Sequence, residues 1–156
     1  MLSSFTVALF LHLLGVLLFV SGIVLAGAAF EVARRHDDPA QIALVLGLSR
    51  IGVLLVAPGS LLVLGFGLWL VDLGGLGLGE TWVSAALALF VVALALGGAG
   101  GQRPKRARLL AARLADERAP VSAELRALLD DPLSLAVNYL SSLIVVVILA
   151  LMVFKP

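Results

Sequence analysis

The chain has 156 residues, 62% of them hydrophobic and 13% charged, with a formal net charge of +1 and a mean hydropathy of +1.15. A soluble domain carries about 25% charged residues, so the composition excludes a water-soluble protein, and four spans of ~20 residues with their connections use nearly the whole chain. The absence of cysteine excludes disulfides, thiolate metal sites, iron–sulfur clusters and covalent haem attachment, and the small net charge implies no nucleic-acid partner.

The first apolar run extends from Phe5 to Phe30, broken only by Thr6, His12, Ser21 and small glycines, and ends at Glu31, Arg34 and Arg35. It has the length of a full span, whereas a cleaved signal peptide would have a basic leader and an apolar core of about 7 to 15 residues. Asp38-Pro39-Ala40-Gln41 reads as a helix start, with Asp as N-cap, Pro at the first helical position and Gln at the third. The helix beginning there can run to about Val71, roughly 33 residues or ~50 Å, against a hydrocarbon core of ~30 Å. Its first two or three turns, with Arg50 near their end, are therefore expected to project beyond the membrane or to tilt.

Asp72 to Glu80 is a Gly-rich turn, flanked by Trp69 and Trp82 at the depth of an aromatic belt, and Thr81 to Leu96 is the third span. The glycines from Gly97 to Gly101 are expected to end that helix. Arg103 to Asp131 is the one strongly polar stretch, holding seven of the eleven cations. Within it Leu109, Leu110 and Leu114 recur at helical spacing, Pro120 interrupts, and Ser122 can cap a further turn carrying Leu125, Leu128 and Leu129. Asp131-Pro132 repeats the start signal of Asp38-Pro39 and opens the fourth span, Leu133 to Phe154.

The expected fold is all-α: one transmembrane domain over 1–156, a bundle with spans at about 4–30, 50–71, 81–97 and 133–154. Two short amphipathic helices in the segment 103–131 are expected to lie on the cytoplasmic membrane surface. Ten of the eleven cations fall in the first and third connections, the second holds only Asp72 and Glu80, and the C-terminus has Lys155. The positive-inside rule then places connections one and three in the cytoplasm and both termini outside, in a bacterial inner membrane.

His12 is the one histidine inside a span. It shares a helical face with Gly15, Phe19, Gly22, Ala26 and Ala29, where small residues let a neighbouring helix approach and an ionisable group turns into the bundle. Imidazole is a common metal ligand that titrates near neutral pH, so His12 is a candidate haem axial ligand or proton carrier, against the plainer reading of a hydrogen-bonded structural histidine. Counting depth from the outer ends sets His12 level with Val63, Leu89 and Val146, with Ser60 and Ser84 the expected partners. No second ligand lies at that depth, so a haem would be held by one His12 or bridged between two copies. No copper site is expected, because soft ligands select Cu(I) and the only sulfur residues are Met1 and Met152.

Pro58 in Pro58-Gly59-Ser60 is expected to kink the second helix, as a packing feature before a transport site. Glu31 and Arg50 are expected to pair across the first hairpin, and Asn138, Ser141 and Ser142 to make interhelical hydrogen bonds of ~0.6 kcal/mol each. The basic run from Arg103 to Arg113 marks the cytoplasmic side or holds anionic headgroups. No nucleophile elbow, phosphate loop or paired carboxylate is present.

Three stretches together, Leu11-His12-Leu13-Leu14-Gly15, the charged turn from Arg34 to Pro39, and the ending Leu151-Met152-Val153-Phe154-Lys155-Pro156, resemble a bacterial family of predicted integral membrane proteins, domain-of-unknown-function family twenty-two sixty-nine, over essentially the whole chain. A histidine in the first span followed by a glycine is more distantly similar to the copper-resistance D domain and to membrane protoporphyrinogen oxidases, and that likeness implies haem or metal chemistry at His12. The leading functional expectation is a non-catalytic accessory or structural subunit of a larger membrane complex, with respiratory complexes among the candidates. The partners would be membrane lipids and other membrane subunits, or a second copy of the chain. The alternatives are a haem-binding redox protein using His12 and, more weakly, a transporter component. Orientation is open to a direct check: a cysteine at Gly77 is expected to react with an impermeant reagent on intact cells, and one at Ser122 only after lysis; the reverse pattern overturns the topology.

Overall fold

The computed structural model describes residues 3–155, which form six helices and no strand: α1 (Ser4–Ala33), α2 (Pro39–Leu73), α3 (Thr81–Gly100), α4 (Gln102–Asp116), α5 (Ala123–Leu129) and α6 (Pro132–Phe154). Four helical stretches are long and apolar enough to cross a membrane. The starts follow from local chemistry, because the first backbone N–H groups of a helix lack intrahelical partners. Asp38 accepts from the N–H of Ala40 at 3.0 Å, Ser122 from Leu125 at 3.2 Å and Asp131 from Ser134 at 2.7 Å. Prolines occupy the first positions of α2 and α6, where no N–H is needed.

Helices α1 and α2 form the closest pair, because glycines on each remove the side chains that would hold them apart. The buried small residues Ala8, Gly15, Gly22 and Ala29 of α1 recur every seven positions, and Gly52 and Gly59 of α2 have the same spacing. A seven-residue repeat keeps one seam facing the partner along a left-handed crossing. A Cβ placed on Gly22 would stand 2.6 Å from the carbonyl oxygen of Gly52, one on Gly52 2.6 Å from that of Gly22, and one on Gly59 2.6 Å from the Phe19 nitrogen. Gly15 is equally enclosed, 2.6 Å from the Leu62 Cβ. Helix α2 runs unbroken through Pro58, and Gly59, beside it, is the residue that the crossing requires.

The length of α2 is explained at its N-terminal end, where its first turns are covered by α4 and α5. Ile42 and Leu46 are buried there with Phe30 and Ala33 of α1, Ala107 and Ala111 of α4, and Leu125 and Leu129 of α5. The amphipathic pattern of the polar segment thus closes a compact core over the turn between α1 and α2. Arg126 fastens it: its guanidinium donates to the carbonyls of Arg34 at 2.8 Å and His36 at 2.7 Å, and pairs with Asp37. These carbonyls lie at the C-terminal end of α1, where acceptors lack helical donors.

Helix α3 outruns the sequence expectation. Gly97 and Gly98 remain helical, α3 continues to Gly100, and Gly101, still right-handed at φ −72°, passes the chain directly into α4. Glycine lowers helix stability without forbidding the helix, and here the chain makes only a brief interruption. Helix α3 packs mainly on α6, whereas α6 touches α1 sparsely. The two hairpins join through Phe19 of α1, Phe90 of α3 and Val145 of α6, with the Phe19 and Phe90 rings 5.3 Å apart. At the opposite end Lys155 lies 5.6 Å over the Trp82 ring. We expect Gly22→Ala to destabilise the protein by about 1–3 kcal/mol through overpacking of the α1–α2 seam, whereas Gly65→Ala, whose Cβ meets nothing within 4 Å, should be neutral or slightly stabilising. Equal melting temperatures of the two variants in detergent would contradict this seam.

Candidate functional site

The glycines bring α1 and α2 together, but nothing draws the α1–α2 hairpin as close to α3 and α6. Between the Phe19–Phe90–Val145 contact and the α3–α4 junction the hairpins part around a cavity of about 610 Å³. One wall is α2, with Arg50, Val53, Val56, Ala57 and Ser60, and the opposite wall is α3 and α6, with Ala93, Leu94, Val137 and Ser141. Gly97 and Gly98 also line it, and a Cβ on either would meet nothing within 4 Å. The missing side chains at the end of α3 are part of what keeps this space open.

Charge is distributed unevenly around the cavity. Arg50 from α2, and Lys105 and Arg108 from α4, line it, together with Gln102, and no Asp or Glu does. Elsewhere four cations meet carboxylates, as Arg126 meets Asp37. Arg34 contacts Glu31 at 3.0 Å and Asp130 at 3.2 Å, Arg35 contacts Glu31 at 3.1 Å, Arg113 contacts Glu117 at 3.1 Å, and Arg103 pairs with Asp131. Among the described residues, Arg50, Lys105 and Arg108 have no such partner within 4.0 Å; Arg106, Arg118 and Lys155 have none either, but they lie outside the cavity. Three like charges without counter-ions beside an apolar space make a region of positive potential, strengthened by its low-dielectric walls.

The wall also carries an isolated polar atom. The hydroxyl of Ser141 is buried and has no hydrogen-bond partner among the described residues, whereas buried hydroxyls are ordinarily satisfied. Ser49 and Ser134, also buried, line the same space.

His12 lies outside this cavity. Its Nδ1 is 3.1 Å from the Val63 carbonyl oxygen, at the depth the sequence count assigns it, but neither Ser60 nor Ser84 is its partner. Ser60 donates to the Ala57 carbonyl at 2.8 Å, and Ser84 to those of Glu80 at 3.3 Å and Thr81 at 3.1 Å, so both hydroxyls are used within their own helices. A carbonyl only accepts, so Nδ1 carries the proton, and a neutral imidazole then keeps its lone pair at Nε2. Gly67 makes room for the ring, since a Cβ there would stand 3.1 Å from His12 Cε1. That glycine is the sequence signal for the contact, one helical turn beyond Val63.

Glu31 pairs with Arg34 and Arg35 of its own helix end, not with Arg50, because those guanidiniums lie three and four residues away. Arg50 is thereby left for the cavity. The Asn138 amide lies against Gly27 of α1, whose Cβ would stand 3.3 Å from its nitrogen, and Ser142 donates to the Asn138 carbonyl at 3.0 Å. Gly15 and Gly22 lie in the α1–α2 seam with Ala26, whose Cβ would be 3.1 Å from one on Gly52. What sequence reasoning missed is the cavity itself, whose lining is drawn from five helices. The signal was limited to the coincidence of glycines at the end of α3 with cations just beyond them.

An all-helical bundle with four membrane-crossing stretches and an interhelical cavity defines the class as integral membrane protein. The chain belongs to the family of predicted integral membrane proteins DUF2269, whose model matches residues 6–156. No curated protein and no solved structure matches it significantly.

Proposed function

We propose that the protein is a non-catalytic membrane component, an accessory subunit whose two hairpins hold an apolar guest between them. The observation that carries this reading is the cavity of about 610 Å³ between α2 and the α3–α6 pair, a volume within the ~300–1,000 Å³ of ligand sites, which are concave, mostly apolar and furnished with a few polar groups. In this reading the α4–α5 end faces the cytoplasm and offers larger membrane assemblies a rigid surface. Protein transferred from mild detergent into the mass spectrometer under native conditions is expected to retain one bound amphiphile. Gly98→Phe, which fills the cavity, should remove it with helical content unchanged. A bare parent protein, or an adduct that survives the substitution, overturns the reading.

A second reading keeps His12 as a haem ligand, and one observation favours it. Donation of the Nδ1 proton to a backbone carbonyl fixes the ring and leaves Nε2 free, which is the orientation that ligating histidines adopt. The donor set is a single imidazole, so one chain would supply one axial ligand, or two copies would bridge the group. The purified protein should then show a Soret band that His12→Gln abolishes while membrane insertion persists. A colourless parent protein, or a band retained in the variant, refutes ligation.

A further inference from the structure

We propose that the guest is a membrane phospholipid of net negative charge, with its headgroup on Arg50, Lys105 and Arg108 and an acyl chain running between α2, α3 and α6. This deepens the accessory-protein reading and rests on it.

Three independent features converge on one ligand chemistry. The first is charge: of the six cations that have no carboxylate within 4.0 Å among the described residues, three, Arg50, Lys105 and Arg108, line this one cavity, and no Asp or Glu lines it. They reach it from different elements, Arg50 from α2 and the other two from α4. Lys105 and Arg108 stand three positions apart and so share one face of α4, while the buried Ala107 and Ala111 fix the orientation of that helix on the core. An arginine can grip a phosphate through two parallel N–H donors, and a lysine adds a point charge.

The second feature is the wall beyond the cations. Ile23, Val53, Val56, Ala93, Leu94 and Val137 offer only apolar surface, which suits a hydrocarbon chain and not a free anion. The third is Ser141, a residue of that wall whose hydroxyl is buried and has no hydrogen-bond partner among the described residues. An unmatched hydroxyl in an apolar setting is costly, and a lipid ester carbonyl would accept its proton. An amphiphile with an anionic end, an ester and a chain satisfies all three; inorganic phosphate satisfies only the first and a neutral lipid only the last two.

The test uses the full chain in mild detergent, offered phosphatidylglycerol or phosphatidylcholine of the same acyl length, with occupancy read by native mass spectrometry. A lysine or arginine near an anionic surface contributes ~1 kcal/mol, about fivefold each, so the three together predict roughly a hundredfold preference for phosphatidylglycerol. Arg50→Gln/Lys105→Gln/Arg108→Gln should erase the preference, bringing phosphatidylglycerol down to the occupancy of phosphatidylcholine. Arg106→Gln/Arg118→Gln, two cations outside the cavity, should leave the preference intact. If the triple variant does not fold, Lys105→Gln alone should reduce the preference about fivefold. Ser141→Ala should weaken both lipids by a similar factor. Equal binding of the two lipids by the parent protein overturns the proposal and spares the accessory reading, whereas no retention of either overturns both. A preference that survives the triple variant, or displacement of bound lipid by excess inorganic phosphate alone, also refutes it: the first makes the attraction a property of the general surface and the second makes the chain irrelevant.

Discussion

The contact of bare backbone between α1 and α2 governs the rest of the molecule. In lipid there is little hydrophobic drive to bring two helices together, and association depends on dispersion forces and close fit. Gly15, Gly22, Gly52 and Gly59 allow that fit, with Gly22 and Gly52 each so near the other's carbonyl that no side chain could be accommodated. This makes the first hairpin a rigid unit. Its turn then becomes a platform on which Phe30, Ile42 and Leu46 can bury the apolar faces of α4 and α5.

The second hairpin has no comparable seam with the first. It is held to it by the tilted Phe19 and Phe90 rings and by the α4 helix seated on α2. Two attachments at different levels, with glycines at the end of α3 between them, leave space that side chains do not fill. A protein interior normally closes to crystal-like density. An interhelical space of about 610 Å³ lined by three cations and by Ser141, whose buried hydroxyl has no partner among the described residues, therefore sets this region apart from the packing around it.

The distribution of ion pairs connects the fold with that space. Glu31 and Asp130 on Arg34, Asp131 on Arg103 and Asp37 on Arg126 tie the loops and helix ends together at the polar end. None of these pairs lines the cavity, and the three cations that face it remain unmatched. Exposed pairs contribute little stability individually, so their consequence here lies in where they leave positive charge. His12 is independent of this arrangement: it joins α1 to α2 through the Val63 carbonyl, in a gap that Gly67 provides.

The sequence by itself determined the class, the number of membrane-crossing helices and their starts, because those depend on composition, on run length and on residues a few positions apart. Asp38-Pro39 and Asp131-Pro132 open helices through contacts within one turn, and Ser122 does the same. The face through Gly15, Gly22 and Ala26 was legible for a similar reason, since helical periodicity places these residues on one side whatever they meet. Only the tertiary structure decided which residues they met. Glu31 found nearer cations than Arg50, Ser60 and Ser84 spent their hydroxyls on their own helices, and His12 took the Val63 backbone carbonyl in place of a side-chain partner. The glycines at the end of α3 read as a stop but continued as helix, and their lost bulk became part of a cavity. A cavity is set by how far apart hairpins settle, and that distance depends on packing between residues remote in the chain, such as Phe19, Phe90 and Val145, which no local spacing encodes.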